Sequence, residues 1–166
     1  MITSPPLPQR CQPGFTMIEL IMVMVMIGIL AVVALPSFDL LKGFDEIGYR
    51  DKVKAALEYT RKAAVAQRRY SCVTLASNNL TVTIDLNAPE SYGGGCPANA
   101  LSLPATDQSC SPAAANKICA PSSVTLAGPA TLTFSPLGVP SAAGTYTVTG
   151  TAASAITVEA GTGYVH

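Results

Sequence analysis

A lone carboxylate within an apolar stretch is the most distinctive chemical feature of the sequence. Glu19 is the only charged residue among the 24 residues 15–38, and the sixteen residues 20–35 are all apolar or glycine. An ionised carboxylate in apolar surroundings costs several kcal/mol unless a positive group lies beside it. The pattern therefore predicts that Glu19 needs a positively charged partner.

Five cysteines form a second group with chemical potential. Cys11 lies near the amino terminus, and the other four lie after residue 70: Cys72, Cys96, Cys110 and Cys119. These four include no close Cys-x-x-Cys pair, which argues against a zinc site built from four thiolates. Disulfide bonds are the alternative for an even number of cysteines.

The sequence has few side chains that could act in catalysis or bind a metal. The only histidine is His166, the last residue, so a Ser/His/Asp triad, a Cys/His dyad and a histidine-based metal site lack their base within the fold. The common patterns of glycine-rich phosphate loops and helical zinc motifs do not occur. We expect no catalytic residue, no metal, no cofactor and no small-molecule substrate, and therefore not an enzyme.

The composition limits the partners of the protein. The chain has 166 residues, of which 49% are hydrophobic and 12% are charged, and its formal net charge is +0. An average soluble domain has about 25% charged residues. Without net charge there is no global field to attract nucleic acid or an anionic membrane. The chain is long enough for one soluble domain in addition to the apolar stretch.

The chain divides into a leader, an apolar segment and a head. Residues 1–14 hold four prolines and Arg10, and residues 15–38 are long enough to cross a bilayer, which needs about 20 helical residues. A secretory signal peptide has its small-residue cleavage site after the apolar region, whereas Gly14 lies before it. Cleavage there leaves the apolar segment in place as a single-pass anchor. The alternative is an uncleaved signal anchor with an irregular cytoplasmic tail.

A long helix is predicted over residues 15–69, with a kink at Pro36, which removes one backbone donor. Residues 15–38 form its membrane-spanning part, and residues 39–69 pack on the head. In the second part, small and apolar side chains recur every three or four residues on one face: Val53, Ala56, Leu57, Thr60, Ala63, Ala64 and Gln67. The alanines on this face allow a sheet to approach closely.

Residues 70–166 are predicted to form a head of antiparallel strands. Alternating apolar residues predict a hairpin from 72–75 and 80–86 around Ser77-Asn78-Asn79. Residues 87–123 are rich in turn-forming residues and are expected to be a long loop outside the core. Further strands are expected at 131–134, 145–149, 155–159 and 164–166. The predicted fold class is α+β, with two antiparallel sheets against the helix.

The four cysteines of the head suit two disulfides, because the head is expected on the oxidising side of the membrane. Three pairings are open. We favour Cys110 with Cys119, which closes the proline-rich loop, and Cys72 with Cys96, which ties that loop to the first strand. Each bridge stabilises a fold by about 2–4 kcal/mol.

The apolar run that ends at Pro36 begins with the residues Gly14-Phe15-Thr16-Met17-Ile18-Glu19-Leu20. This arrangement resembles the processing and assembly signature of type IV prepilins and type II secretion pseudopilins. In that family a prepilin peptidase cuts after the glycine and methylates the new amino terminus. The resemblance implies cleavage between Gly14 and Phe15 and an N-methylated Phe15. It also implies a subunit that waits in the inner membrane, with its head in the periplasm, and then joins other pilin or pseudopilin subunits.

Cleavage would free an ammonium group on Phe15 that can neutralise Glu19. The two residues are four positions apart, about 6 Å along a helix, so an ion pair within one chain is open. The resemblance implies instead that Glu19 of an incoming subunit meets the ammonium group of a neighbour already in the filament. The simpler alternative is a carboxylate that extends to the bilayer surface.

Two segments of the head carry a second resemblance: Leu132-Thr133-Phe134-Ser135-Pro136-Leu137-Gly138 and Glu159-Ala160-Gly161-Thr162-Gly163-Tyr164-Val165. Together with the helix over 53–69, they are similar to the GspH/FimT group of minor pilins and pseudopilins and to its MSHA-pilus relative MshC. The resemblance implies a type IV pilin fold. The alternative is that Phe134, Gly138 and Gly163 are core and turn residues of the kind found in any small sheet protein.

The function expected from these features is that of a minor pilin that initiates or supports assembly of an MSHA-like type IV pilus. The H-type minor pseudopilin of a type II secretion system is the main alternative, and a tip adhesin that uses the loop 88–123 is another. DNA binding is disfavoured, because residues 70–166 hold one basic and four acidic side chains and phosphate binding depends on Lys and Arg.

Overall fold

The computed structural model describes residues 14–34, 37–149 and 155–166. They fall into two units, divided between Phe38 and Asp39. Two of the predicted features lie outside the described residues, namely the leader up to residue 13 and the helix kink at Pro36. The predicted membrane-spanning segment 15–38 also includes residues 35 and 36, which are outside them.

Helix α1, Met17–Ala34, is the regular element of the first unit. From Met17 to Val32 every large apolar side chain is at least 48% exposed. A helix that is apolar on all sides is stable only where other apolar groups cover it. Among the described residues, no helix combines the length and the apolar character needed to cross a membrane.

Helix α2, Ser37–Gln67, provides one side of the core of the second unit. Six of the seven residues on the predicted apolar face are buried, which confirms that face from Val53 to Ala64. The seventh, Gln67, is exposed instead, because it is the last residue of the helix and its side chain is polar.

The carboxyl end of α2 lies two residues before the predicted end at Arg69. Arg68 adopts a left-handed conformation with φ of 51°. Its N–H donates to the carbonyl of Val65 at 3.3 Å, and the N–H of Arg69 donates to the carbonyl of Ala64 at 3.0 Å. These two bonds form a Schellman motif, which satisfies the last carbonyls and stops the helix.

Strands β1, Ser71–Ala76, and β2, Asn79–Ile84, form the predicted hairpin. The two turn residues, Ser77 and Asn78, have φ values of 49° and 62°, as a tight two-residue hairpin turn of type I′ requires. The turn is therefore one residue shorter than predicted, because Asn79 already pairs with Ala76 in the sheet.

Seven strands in the described part of the chain make two antiparallel sheets. Strands β3, Lys117–Cys119, and β5, Thr131–Phe134, complete the first sheet in the order β3-β2-β1-β5. The second sheet has the order β4-β6-β7 and consists of β4, Leu126–Ala127, β6, Gly144–Val148, and β7, Ile156–Val158. The predicted α+β class with two antiparallel sheets is confirmed.

Part of the segment 87–123 is structured, and the prediction of a loop outside the core was wrong there. Strand β3 pairs with β2, and Leu101 and Ile118 are buried in the core. A short 3-10 helix covers Pro89–Ser91. Single apolar residues among many Pro, Ser and Asn residues leave no periodic pattern, although Leu101 and Ile118 belong to the core.

A single hydrophobic core joins α2 to both sheets. Hydrogen bonds fix the helix over the first hairpin: the Ser71 hydroxyl donates to the carbonyl of Thr60 at 3.0 Å, and the Tyr49 hydroxyl donates to the carbonyl of Asn78 at 2.6 Å. The central side chains of the core are fully buried, and they include Leu57, Val73, Leu132, Tyr146 and Ile156.

Arg61 of α2 holds together the two turns that carry the second resemblance. Its Nε donates to the carbonyls of Gly138, at 3.3 Å, and Thr162, at 3.1 Å. Gly138 and Gly163 both have positive φ, and a Cβ atom on Gly163 would collide with the carbonyl oxygen of Gly138. Turn geometry and close approach therefore account for both glycines. The predicted strand 164–166 is reduced to a single bridge between Val158 and Val165.

Gly163→Ala should lower the free energy of unfolding by about 1–3 kcal/mol. An alanine at this position is strained at the positive φ of the backbone, and its Cβ atom would collide with the carbonyl oxygen of Gly138. Denaturant unfolding of the full chain in detergent measures this change. Gly161→Ala is the matched control, since Gly161 has no heavy atom within 4 Å of its Cβ position. Equal effects of the two substitutions would contradict the role given to Gly163.

Candidate processing and assembly site

The bond between Gly14 and Phe15 lies in a non-helical segment immediately before α1. Gly14 is exposed, and no heavy atom lies within 4 Å of the position that a Cβ atom would occupy there. Phe15 is 84% exposed. Irregular, exposed backbone is the kind that proteases cut, so the predicted cleavage bond is accessible.

Thr16 caps the amino terminus of α1. The N–H of Glu19 donates to the Thr16 hydroxyl oxygen at 3.3 Å, and the N–H of Leu20 donates to the Thr16 carbonyl at 3.2 Å. Such a cap satisfies backbone donors that have no partner within the helix. The spacing Thr-x-x-Glu is that of a capping box, and the start of α1 could have been predicted from this spacing.

Glu19 lies in the first turn of α1 and is exposed. The dipoles of the helix favour a negative charge at this end by roughly 0.3–1 kcal/mol. Within the described residues no cation forms an ion pair with its carboxylate. Phe15, its predicted partner, has a peptide nitrogen in the uncleaved chain, so the positive charge arises only on cleavage. The structure therefore places Glu19 in the first turn of α1 and Phe15 in the non-helical segment before it, without an ion pair between them.

The four cysteines of the head form two disulfides, Cys72 with Cys96 and Cys110 with Cys119, which is the pairing favoured from the sequence. Cys72 is buried in β1, whereas Cys96 is exposed. Both bonds fasten the segment 87–123 to the first sheet, since Cys119 belongs to β3. No group of three His, Cys, Asp or Glu residues is placed to hold a metal ion within the part of the chain that the structure describes.

A buried carboxylate fastens the same segment to α2. Asp107 accepts hydrogen bonds from the ammonium group of Lys52 at 2.7 Å, from the N–H of Cys119 at 3.0 Å and from the N–H of Ser109 at 3.2 Å. Burial alone would raise the pKa of Asp107, but the hydrogen bonds of these three donors outweigh it and hold the pKa below its ordinary value. The Asp-x-Ser spacing indicates only a local turn, and no sequence pattern predicts the contact with Lys52.

Asp107→Asn should lower the free energy of unfolding at neutral pH by about 1–3 kcal/mol, because it weakens three hydrogen bonds to a charged acceptor. The pKa of Asp107 in the folded state is lower than in the unfolded state. Its carboxylate therefore stabilises the fold above the ordinary pKa of 3.8, and this contribution is lost as the pH falls through the folded-state value.

Unfolding curves of both proteins across this pH range measure the difference, which should close in strong acid. Glu90→Gln is the control, since Glu90 is an exposed acid of the same segment, and its effect should stay within about 0.5 kcal/mol. A constant difference between wild type and Asp107→Asn at every pH would show that the charge of Asp107 is not what stabilises the fold.

Two kinds of comparison relate this chain to known proteins. Residues 9–35 match the prokaryotic N-terminal methylation motif, which includes Gly14, Phe15 and Glu19. A crystal structure of the type IV minor pilin FimU from Pseudomonas aeruginosa strain PAO1 is similar to this chain, with a TM-score of 0.50 and 16% sequence identity over 72% of this chain and 84% of the crystallised chain. A second crystal form of FimU gives a TM-score of 0.49 and 16% identity over 72% of this chain and 89% of the crystallised chain.

The motif match and the structural similarity describe different features of this chain. The motif covers the predicted cleavage bond, Glu19 and all of α1, and the structural similarity concerns the fold, since 16% identity is low. Neither separates the GspH from the MshC type. The chain is thus type IV pilin-like, since it carries a prokaryotic N-terminal methylation motif at residues 9–35 and has the α+β type IV pilin fold.

Proposed function

We propose that this protein is a minor pilin that initiates or supports assembly of a type IV pilus of the MSHA kind. The observation that carries the proposal is the methylation motif, whose Gly14-Phe15 bond is exposed ahead of a helix with an uncovered apolar surface. A prepilin peptidase cuts this bond and methylates the amino group of Phe15. The functional division is then a leader 1–14, a helical part 15–69 and a head 70–166.

Cleavage supplies the charge that Glu19 lacks. The peptide nitrogen of Phe15 becomes an ammonium group, and methylation leaves its positive charge in place. Phe15 precedes the Thr16 cap and is not part of α1, so helix geometry does not fix its nitrogen beside the carboxylate of the same chain. This favours a pair between the Glu19 carboxylate of one subunit and the Phe15 ammonium group of the next.

An ion pair of this kind selects the register of assembly. Burial of one unpaired charge costs several kcal/mol, whereas the attraction between two paired charges largely offsets that cost. An incoming subunit is therefore stable only where its Glu19 reaches a neighbour's ammonium group. The apolar side chains of α1 then add packing energy along the rest of the helix, which is not specific for one position.

Before assembly, the apolar segment 15–38 holds the subunit in the inner membrane, with the head in the periplasm. Lipid and packed helices both provide the apolar cover that the exposed side chains of α1 need. The two disulfides support a periplasmic head, because such bonds persist in oxidising compartments and are rare in the cytosol.

An H-type minor pseudopilin of a type II secretion system is the second candidate, because the same processing signature serves both filaments. Deletion of the gene separates the two, since it abolishes pili in one case and secretion of folded periplasmic proteins in the other. DNA uptake is disfavoured by the charge of residues 70–166, which hold one basic and four acidic side chains.

Gly14→Val should leave the full-length precursor in the membrane, because a branched side chain beside the cut bond blocks the approach of the peptidase. Immunoblots of membrane fractions, with mass spectrometry of the amino terminus, measure the uncut fraction. Gly93→Val is the control, as Gly93 has no heavy atom within 4 Å of its Cβ position and lies far from the cut in sequence. Normal maturation of Gly14→Val would refute the assigned cleavage site.

Glu19→Ala should be cleaved and methylated normally but should be at least about tenfold depleted in sheared filaments, since loss of 1.4 kcal/mol already costs a factor of ten. Quantitative immunoblots of filament and membrane fractions measure the ratio. Asp45→Ala is the control, because Asp45 is an exposed acid on α2. Wild-type incorporation of Glu19→Ala would rule out the proposed pairing and would leave a carboxylate at the bilayer surface as the explanation.

A further inference from the structure

A pocket of 360 Å³ in the second unit is lined on one side by two tyrosines. The rings of Tyr70 and Tyr92 are stacked, with centroids 3.9 Å apart and planes 10° from parallel, and both residues are only half-buried. The volume lies at the lower end of the roughly 300–1,000 Å³ typical of small-molecule sites. The lining includes no charged side chain, and such a lining favours uncharged ligands.

The wall that carries Tyr92 is held in place by three bonds. The Tyr92 hydroxyl donates to the carbonyl of Gly95 and so closes the glycine-rich turn on itself. The next residue, Cys96, is bonded to Cys72 in β1, and the Thr74 hydroxyl lies 3.4 Å from the Cys96 sulfur. The aromatic wall is therefore organised before any ligand arrives, which lowers the entropy cost of binding.

The opposite wall presents two serine hydroxyls with unused donors. The N–H of Val139 donates to the Ser135 hydroxyl oxygen at 3.2 Å, and the N–H of Thr133 donates to the Ser141 hydroxyl oxygen at 3.2 Å. A hydroxyl that accepts one bond keeps its own hydrogen and one lone pair. Within the described part of the chain no acceptor takes either hydrogen, so both can bond to a ligand that lies in the pocket.

From this arrangement we infer that the pocket binds a neutral saccharide. The C–H face of a pyranose ring carries a partial positive charge and packs on the negative face of an aromatic ring. Its hydroxyls accept from and donate to serine hydroxyls and backbone carbonyls. A nucleotide is disfavoured, because the pocket offers stacking but no Lys or Arg for a phosphate group.

Saccharide binding is separate from the proposed filament function. It involves the walls of one head and no part of α1, so it is measured on purified, unassembled protein. If Glu19→Ala did not disturb assembly, the proposed assembly mechanism would fail, but the inference of saccharide binding would still stand. An absence of saccharide binding would in turn leave processing and assembly unaffected.

Ligand-observed saturation-transfer NMR tests the inference on the full chain in a polyoxyethylene detergent, since glycoside detergents would themselves supply sugar. The probes are the methyl glycosides of glucose, galactose, mannose and N-acetylglucosamine, with N-acetylneuraminic acid and adenosine monophosphate as charged comparators. At least one neutral glycoside should receive saturation at millimolar concentration, and the charged probes should not.

Tyr92→Ala should weaken binding of that glycoside by at least about tenfold, whereas Tyr92→Phe keeps the ring and should stay within about threefold of wild type. Tyr164→Ala is the matched control, because Tyr164 is 58% exposed and lies outside the pocket. Val139→Trp gives a second reading, since Val139 is 38% exposed and a larger side chain there fills the pocket without entering the core. Thermal unfolding verifies that each variant is folded.

Two results would overturn the inference. One is that none of the four neutral glycosides binds to the folded wild-type protein. The other is that binding is unchanged both in folded Tyr92→Ala and in folded Val139→Trp, which would place the saccharide elsewhere on the surface.

Discussion

A carboxylate at the start of an apolar helix has to be neutralised before the surface around it can be buried. In α1 the Thr16 cap and the helix dipole meet part of this need, because they satisfy backbone donors and favour negative charge. They do not supply a counter-charge, and the described residues provide none for Glu19. The apolar side chains of α1 also lack cover. In the proposed filament, the ammonium group of a neighbouring subunit would supply the counter-charge, and the apolar helix of that subunit would cover the side chains of α1.

The head has a different problem, since its segment 87–123 contributes few apolar side chains to the core. Leu101 and Ile118 are buried, but most of the segment lies on the surface. Two disulfides and the hydrogen bonds of Asp107 hold it to the first sheet and to α2. Cross-links of this kind reduce the entropy of the unfolded chain and compensate for a small apolar area.

Local periodicity explains what could be predicted from the sequence. The apolar face of α2, the first hairpin and the two-sheet class all follow from repeating patterns, and the start of α1 follows from a short motif. Strand β3 and the contact between Asp107 and Lys52 could not be predicted, because each depends on residues far apart in sequence that carry no pattern of their own. The end of α2 was misplaced for a local reason, the left-handed conformation of Arg68.

The bond between Cys72 and Cys96 links the shape of the tyrosine pocket to the redox state of its surroundings. While both thiols are reduced, the 24 positions that separate them are free to sample many conformations, and the glycine-rich turn has no covalent tie to β1. Formation of the disulfide removes that freedom. A compartment that keeps disulfides therefore lowers the entropy cost of forming the tyrosine pocket, whereas a chain with both thiols reduced has to hold the same walls with weaker, non-covalent contacts.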